Sequence, residues 1–402
     1  MHLAIVSQFY PGFDAKGIGG GIEAHHYNFA RACVRLGHQV TVISTRLNAN
    51  IPYRHMRDGI TAFRIRLPNF YRFHRLPLIG RQYRVLQSLW HSARVCRLLG
   101  AIHQENSVDV AEFAEVNAEA LFWQGHLSRR LAVRCHTPNF VLTRYYKRSE
   151  SPYDARWLGK AECQTIRKAH ILTAPSHDMA QVVSDDCRIP ISRFHAIPNA
   201  VEPVAASVES KVSTPITVLF VGRLERVKGV DVLLEAIPRV LQRMPTVRFV
   251  VAGGSRRAPN GMLYQSYLQE QLASQISNGQ VEVTGFVSNA VLEKLYAQAH
   301  ITIVPSLLYE SFSFTVAQAM MRGIPVIASR VGGIPETLDH GRCGILVEPN
   351  DPQALADAII DLAQDAAKRE RLGQAAREHA LAHYSSDVVA KRILEVYEDA
   401  LR

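Results

Sequence analysis

Two short windows of the sequence hold side chains whose types and spacing suit chemistry on a phosphate ester. Residues 309–336 read YESFSFTVAQAMMRGIPVIASRVGGIPE. A strand-like run ends at Val304, a loop carries Glu310, and a helix is expected to begin near Ser313. The backbone N–H groups of Ser311, Phe312, Ser313 and Phe314 then fall at the start of that helix, where no preceding turn supplies carbonyls for them. Unpaired donors at the positive end of a helix dipole suit a phosphate or diphosphate. Glu310 precedes this turn and Gln318 lies eight residues on. At 1.5 Å per helical residue they are on the order of 12 Å apart at most, which leaves room for a diphosphate between a sugar and a ribose. In the second window residues 220–229 read FVGRLERVKG, so Arg223 follows a strand at once and Lys228 sits at the entrance to the next helix. A bidentate guanidinium and a point-charge ammonium above the carboxyl edge of a sheet can neutralise a departing diphosphate.

The elements that must hold these residues follow from the hydrophobic pattern. Each half of the chain opens with a strand, a glycine-rich turn and an amphipathic helix, the order of doubly wound α/β domains. In the first half these are a strand at 3–6, a loop at 17–21, a helix at 22–36 ended by Gly37, and a strand at 39–44. The second half repeats the order with a strand at 217–221, a loop at 222–229, a helix at 230–243 and a strand at 247–252. The alternation then runs through 281–284, 289–299, 301–304, 314–322 and 325–328. A chain of 402 residues is long for one core, and roughly 100 to 200 residues per domain gives two. The expected division is a first domain at 1–203, a linker at 204–214 rich in Ser, Val and Ala, and a second domain at 215–384, with a last helix near 387–402 able to pack on either domain. The fold class is therefore expected to be α/β, two doubly wound Rossmann-like domains facing across a cleft. Ligand loops should follow residues 6, 221, 304 and 328, because parallel sheets bind at the carboxyl ends of their strands.

Hydrophobic residues make up 47% and charged residues 20%, which excludes general disorder. The apolar runs have strand length, short of the ~20 residues that span a bilayer. With no basic leader before residues 3–6, the expectation is a cytoplasmic protein. The six cysteines are scattered without a C-x-x-C pair, so they read as small buried hydrophobes in a reducing compartment, with no zinc pattern. Net charge is +10, and the excess lies in one half: residues 1–200 carry 26 basic against 14 acidic side chains, residues 201–402 carry 20 against 22. Between 54 and 97 ten arginines face one acid, Asp58, with Phe70, Tyr71, Phe73 and Trp90 interleaved. Such a stretch calls for an anionic partner: anionic lipid at the inner face of a membrane, a lipid-diphosphate acceptor or an acidic glycan. Nucleic acid is not expected, since no helix-turn-helix, zinc or RNA-binding signature accompanies the charge.

Taken in order along the chain, the motifs resemble the retaining GT-B glycosyltransferases of family 4, the glycosyl transferases group 1 family. They are Gly20-Gly21-Ile22-Glu23 with Gly37-His38 and Val40, then Ile197-Pro198-Asn199-Ala200-Val201, then Gly222-Arg223-Leu224 with Lys228-Gly229. Gly285-Phe286-Val287, Glu310-Ser311-Phe312, and Gly323-Ile324-Pro325-Val326 with Gly332-Gly333 and Glu336 complete the set. The resemblance implies a nucleotide-sugar donor, a UDP-sugar before others, and a glycan or lipid-linked acceptor in polysaccharide biosynthesis. It implies retention of anomeric configuration and no cofactor or metal, in line with the lack of a D-x-D triplet. Arg223 and Lys228 would grip the diphosphate, Glu310 would touch the donor sugar, residues 311–314 would cap the phosphate, and the backbone at Val287 would hold the base. Gly20 and Gly21 would let the first-domain loop approach the donor, and His136 would stand beside the reacting sugar. One position departs from the pattern: the second acid of the family's E-x7-E motif is Gln318 here. An amide offers one acceptor oxygen where a carboxylate offers two, so the alternative is a non-catalytic partner subunit with a weakened donor site. A pyridine-nucleotide dehydrogenase fits less well, because Gly17-x-Gly19-Gly20 lacks the G-x-G-x-x-G spacing and the second strand ends without an acid.

Overall fold

The structure is a computed structural model, and it describes residues 1–8, 10, 20–46, 52–70, 82–123, 130–145, 152–204 and 215–402. Gly17 and Gly19 of the first glycine loop, Tyr71 and Phe73 of the basic stretch, and linker residues 205–214 lie outside the described residues. The chain forms two compact units, one of Met1–Glu202 with Ser386–Arg402 and one of Pro203–Ser385.

In the first unit the elements run β1 (His2–Val6), α1 (Gly21–Arg35), β2 (Gln39–Arg46), β3 (Arg54–Arg57), β4 (Ile60–Arg66), α2 (Tyr83–Glu105), β5 (Val110–Ala114), β6 (Leu131–Arg134), α3 (Asn139–Tyr145), α4 (Pro152–Lys168), β7 (Ile171–Ala174), α5 (His177–Cys187) and β8 (Phe194–Ala196). Among the described residues eight strands join in the order β3-β4-β2-β1-β5-β6-β7-β8, and only the edge pair β3/β4 is antiparallel. Every residue of β1 is buried, as expected of a strand covered on both faces. The chain leaves β1 for β2 on one side and returns to β5 on the other, so the loops after Val6 and Ala114 flank a topological switch point.

The second unit continues with β9 (Thr217–Val221), α6 (Val230–Arg243), β10 (Arg248–Ala252), α7 (Tyr264–Gln271), α8 (Ala273–Ser277), β11 (Val281–Gly285), α9 (Asn289–Gln298), β12 (Ile301–Val304), α10 (Phe314–Met321), β13 (Val326–Ser329), α11 (Ile334–Thr337), β14 (Ile345–Val347), α12 (Pro352–Gln364) and α13 (Ala366–His383). Its sheet is parallel in the order β11-β10-β9-β12-β13-β14, so the switch point lies between β9 and β12. Phe220, Phe249 and Ile303 from the sheet pack with Leu233 and Ile237 of α6 and Leu355 and Ile359 of α12.

The last helix, α14 (Ser386–Leu401), belongs to the first unit, where Val389, Ile393 and Tyr397 pack with Phe29, Val40 and Val42. Arg35 of α1 fixes its start through Asp387 at 2.6 Å and Ser386 Oγ at 2.8 Å.

One expectation is corrected. Cys163 of α4 and Cys187 of α5 form a disulfide with a Cα separation of 5.2 Å, so the cysteines are not all lone hydrophobes. The bond arises where α4 meets α5 across 24 residues of chain, a proximity that spacing alone does not announce. Cys33, Cys135 and Cys343 are free and buried, in keeping with the sequence reading.

Candidate functional site

The two chemical windows meet at the carboxyl ends of β9 and β12. Gly253 is the reason the floor of the site is tight: its φ is +155°, and a Cβ there would stand 1.7 Å from the carbonyl oxygen of Gly222. The loop after β9 is further joined to the loop after β10 by Leu224 N–H to Gly254 O, 2.8 Å, and Arg256 N–H to Leu224 O, 2.9 Å. Lys228 does not open a helix as expected. It ends a single 3₁₀ turn, Arg226–Lys228, and Gly229 at φ +74° separates it from α6. A Cβ on Gly229 would stand 1.8 Å from Pro305 O, and Leu307 N–H reaches Val227 O at 3.0 Å, so the loops after β9 and β12 are locked together.

That lock brings Lys228 and Glu310 into contact. Lys228 Nζ donates to Glu310 Oε1, which also accepts from Ser306 Oγ at 3.0 Å. The Glu310 side chain is 13% exposed and that of Arg223 is 52%, the latter with Nη2 2.9 Å from Glu225 Oε1. The sequence reading gave Lys228 to the diphosphate and Glu310 to the sugar as separate parts; the structure makes them an ion pair. An ammonium has three donors, so Lys228 can keep Glu310 and still reach a phosphate.

The start of α10 completes the site. Ser313 is its N-cap, its hydroxyl accepting from Val316 N at 3.4 Å, and Ser311, Phe312 and Ser313 are buried while Phe314 is half-buried. Phe312 lies edge-on to Phe314 and Tyr384 at 5.4 and 5.7 Å between ring centres, which anchors the loop to the core. Behind it the Glu310 carbonyl accepts the Gly333 N–H at 2.7 Å, and a Cβ on Gly332 would lie 2.4 Å from that oxygen. The Gly332-Gly333 pair therefore sets the position of Glu310. Gln318 is half-buried on α10, and its Oε1 accepts from the Tyr296 phenol at 3.4 Å. Arg322 binds the Gln318 carbonyl at 2.7 Å and lies over the Tyr296 ring at 4.6 Å. Val287 is half-buried after β11, next to Phe286, whose ring is 73% exposed beside Gly254. The sequence reading named Phe286 within a motif but gave its ring no role, although a large aromatic directly after a strand end was a signal for one.

The first unit holds a different cluster. His136, just after β6, is buried; its backbone N–H donates to Glu115 Oε2 at 2.9 Å, and its Nε2 has no partner among the described residues. The rings of His25 and His26 on α1 stand 5.4 and 5.3 Å from it. Burial first, then the Arg134 charge and the neighbouring histidines, hold His25 well below the usual histidine range; burial, His26 and Arg134 do the same to His136. Glu112 sits 3.4 Å from His26 and accepts the Tyr397 phenol; burial favours its acid form, but His26 and Arg134 outweigh burial and keep its pKa low. Arg134 is fully buried and donates to Ile197 O at 2.7 Å, Pro198 O at 3.0 Å and Asn199 Oδ1 at 2.9 Å. His25, His26 and Glu112 bring ligand-type atoms within 4.8 Å of one another. His25 Nδ1, however, accepts the Ala200 N–H at 3.0 Å, so the neutral ring carries its proton on Nε2 and cannot ligate through it. Gly20 caps α1 in an extended conformation, with no described residue within 4 Å of a Cβ position; Gly21, exposed, begins the helix.

Residues 215–365 match the family model described as Glycosyl transferases group 1, and residues 19–204 match Glycosyltransferase Family 4. An uncharacterized glycosyltransferase of Methanocaldococcus jannaschii is 25% identical over 100% of this chain and 99% of its own. A D-inositol 3-phosphate glycosyltransferase of Corynebacterium kroppenstedtii is 35% identical over 46% of this chain, a match that spans 41% of that relative. Among solved structures, sucrose-phosphate synthase from Thermosynechococcus elongatus is similar with a TM-score of 0.75 at 21% identity, covering 99% of this chain and 98% of the other. HepE of Anabaena, solved in complex with UDP, is similar with a TM-score of 0.71 at 19% identity, covering 99% and 100%. These likenesses show the two-unit parallel-sheet fold of GT-B proteins.

Proposed function

The chain belongs to glycosyltransferase family 4, the glycosyl transferases group 1, and from that membership we propose that it moves a sugar from a nucleoside-diphosphate donor, UDP before others, to a glycan or lipid-linked acceptor. The observation that carries this reading is the Lys228–Glu310 pair at the β9/β12 switch point, flanked by Arg223 and the start of α10. As the anomeric bond breaks, negative charge grows on the diphosphate. Arg223, Lys228 and the α10 N-terminus stabilise it there, more strongly than they stabilise the bound ground state. Glu310, held by Ser306 and by the glycine pair behind it, is placed to accept hydroxyls of the donor sugar. The departing phosphate takes the acceptor's proton on the same face, which gives retention. Fixed cations supply the charge that a divalent ion would otherwise bring. Phe286 offers a ring for the base beside Val287. We place this reaction in polysaccharide biosynthesis on the cytoplasmic side of a membrane.

Gln318 supports a second reading, a partner subunit with a weakened donor site, because its acceptor oxygen already serves Tyr296. Calorimetric titration with UDP, GDP and ADP separates the two. One diphosphate should bind with a Kd at or below roughly 1 mM, and Arg223→Ala should weaken it by about ten-fold or more through a lost charge-assisted bond. Binding restored only by Gln318→Glu would favour the partner subunit; no binding to either form would end the donor reading.

A further inference from the structure

The arginine-rich part of the first unit forms one surface. On α2, Trp90, Arg94, Arg97 and Leu98 fall on the same face, as the helical period requires. With Ile65 and Arg66 at the end of β4 they line a cavity of about 720 Å³. Ile65 is buried and Trp90 and Leu98 are half-buried, while Arg66, Arg94 and Arg97 are exposed. Arg94 lies over the Trp90 ring at 5.5 Å. Among the described residues none of these three arginines has a carboxylate partner; Asp58, the nearest acid in sequence to Arg66, faces Arg57 at 3.9 Å, and Glu105, the nearest to Arg94 and Arg97, ends α2. The sheet edge adds apolar surface that no core explains. Met56 of β3 is 76% exposed and Tyr53 just before it is 52% exposed.

We propose that this face docks on a bilayer surface rich in anionic phospholipid, with the arginines on lipid phosphates and Trp90, Tyr53 and Met56 in the interfacial layer. The charge is complementary, and Arg is the side chain suited to bidentate contact with phosphate. Trp and Tyr favour the level of lipid headgroups, where one end of the ring is apolar and the other wet. An acidic glycan would satisfy the arginines but would leave Met56 and the apolar wall of the cavity against water. Among the described residues no helix is long and apolar enough to cross a membrane, so the contact is peripheral. This docking does not depend on the sugar-transfer reading.

The test is flotation of the full chain with phosphatidylcholine vesicles, with and without one part in three of phosphatidylglycerol, at low and high salt. The wild type should partition onto the anionic vesicles only and leave them as salt shortens the Debye length. Arg94→Gln with Arg97→Gln should lower the partition coefficient by roughly 30-fold, at about five-fold per arginine. Met56→Ser, at a side chain 76% exposed, gives an independent loss without touching the charges. The circular dichroism melt of each variant should match the wild type, which removes misfolding as a cause. Absence of wild-type binding to anionic vesicles at low salt overturns the proposal, as does equal binding by the double variant. Heparin binding that depends on the same arginines, with vesicles ignored, would instead make the face an acidic-glycan site.

Discussion

The two units share one architecture and hold their polar clusters in opposite ways. Around Lys228 and Glu310 the side chains are partly exposed and joined in a pair that a ligand can enter. Around His136, Arg134 and Glu112 every side chain is buried and most of the bonds run to backbone or to a neighbour far along the chain. A cluster open to water exchanges partners at small cost, because solvation replaces what the protein withdraws. A buried cluster has no such exchange, so loss of one member leaves others unsatisfied. Electrostatics in the first case is available for binding and in the second is part of the fold.

The largest effect expected from this contrast is on stability. Arg134→Ala leaves two carbonyls, the Asn199 amide oxygen and Glu112 without their cation, and should cost roughly 3–5 kcal/mol, seen as an early unfolding transition in urea. A loss below about 1 kcal/mol would break the comparison at its buried end. Glu310→Gln should do the reverse. The melt should move by no more than about 1 kcal/mol, while the transfer rate falls on the order of 100-fold, measured by release of UDP with an accepted sugar donor. A large loss of stability there would make the partly buried pair structural after all.

The third effect is a pH dependence confined to the buried cluster's neighbours. Burial pushes Glu115 up to about 7 and Glu162 up to about 8, so both hold protons in the folded state that the unfolded chain releases near the ordinary value of 4.5. Where the folded state binds more protons, stability falls as pH rises. The first unit should therefore lose stability between about pH 5 and pH 8, and Glu162→Gln should flatten that slope in melts recorded across the range. The smallest effect belongs to Gly20→Ala, which should leave the melt within about 0.5 kcal/mol, since its backbone is extended and no described residue stands near the added carbon. A drop in transfer with the melt unchanged would tie that glycine to the ligand.

Much of the second unit was legible because its signals are local. Strand, turn and helix around Gly222 to Gly229 and around Glu310 to Gln318 follow from period and from glycine position, and the observed α6 and α10 begin within a residue of expectation. Less could be read in the first unit. The antiparallel edge strand β3 is four residues long and alternates weakly, and Arg134 inside a buried strand looks like an error of burial until its four acceptor partners, Thr173 among them, are seen.

By itself the sequence determined the alternation of elements, the family, and which residues carry charge at the ends of β9 and β12. Those properties depend on neighbours within a turn or a strand. Only the tertiary structure decided that Lys228 and Glu310, 82 residues apart, bind each other, that Cys163 meets Cys187, and that Tyr397 crosses 285 residues of chain to reach Glu112. Each of those contacts depends on the order in which parallel strands lie side by side, which the hydrophobic period does not encode.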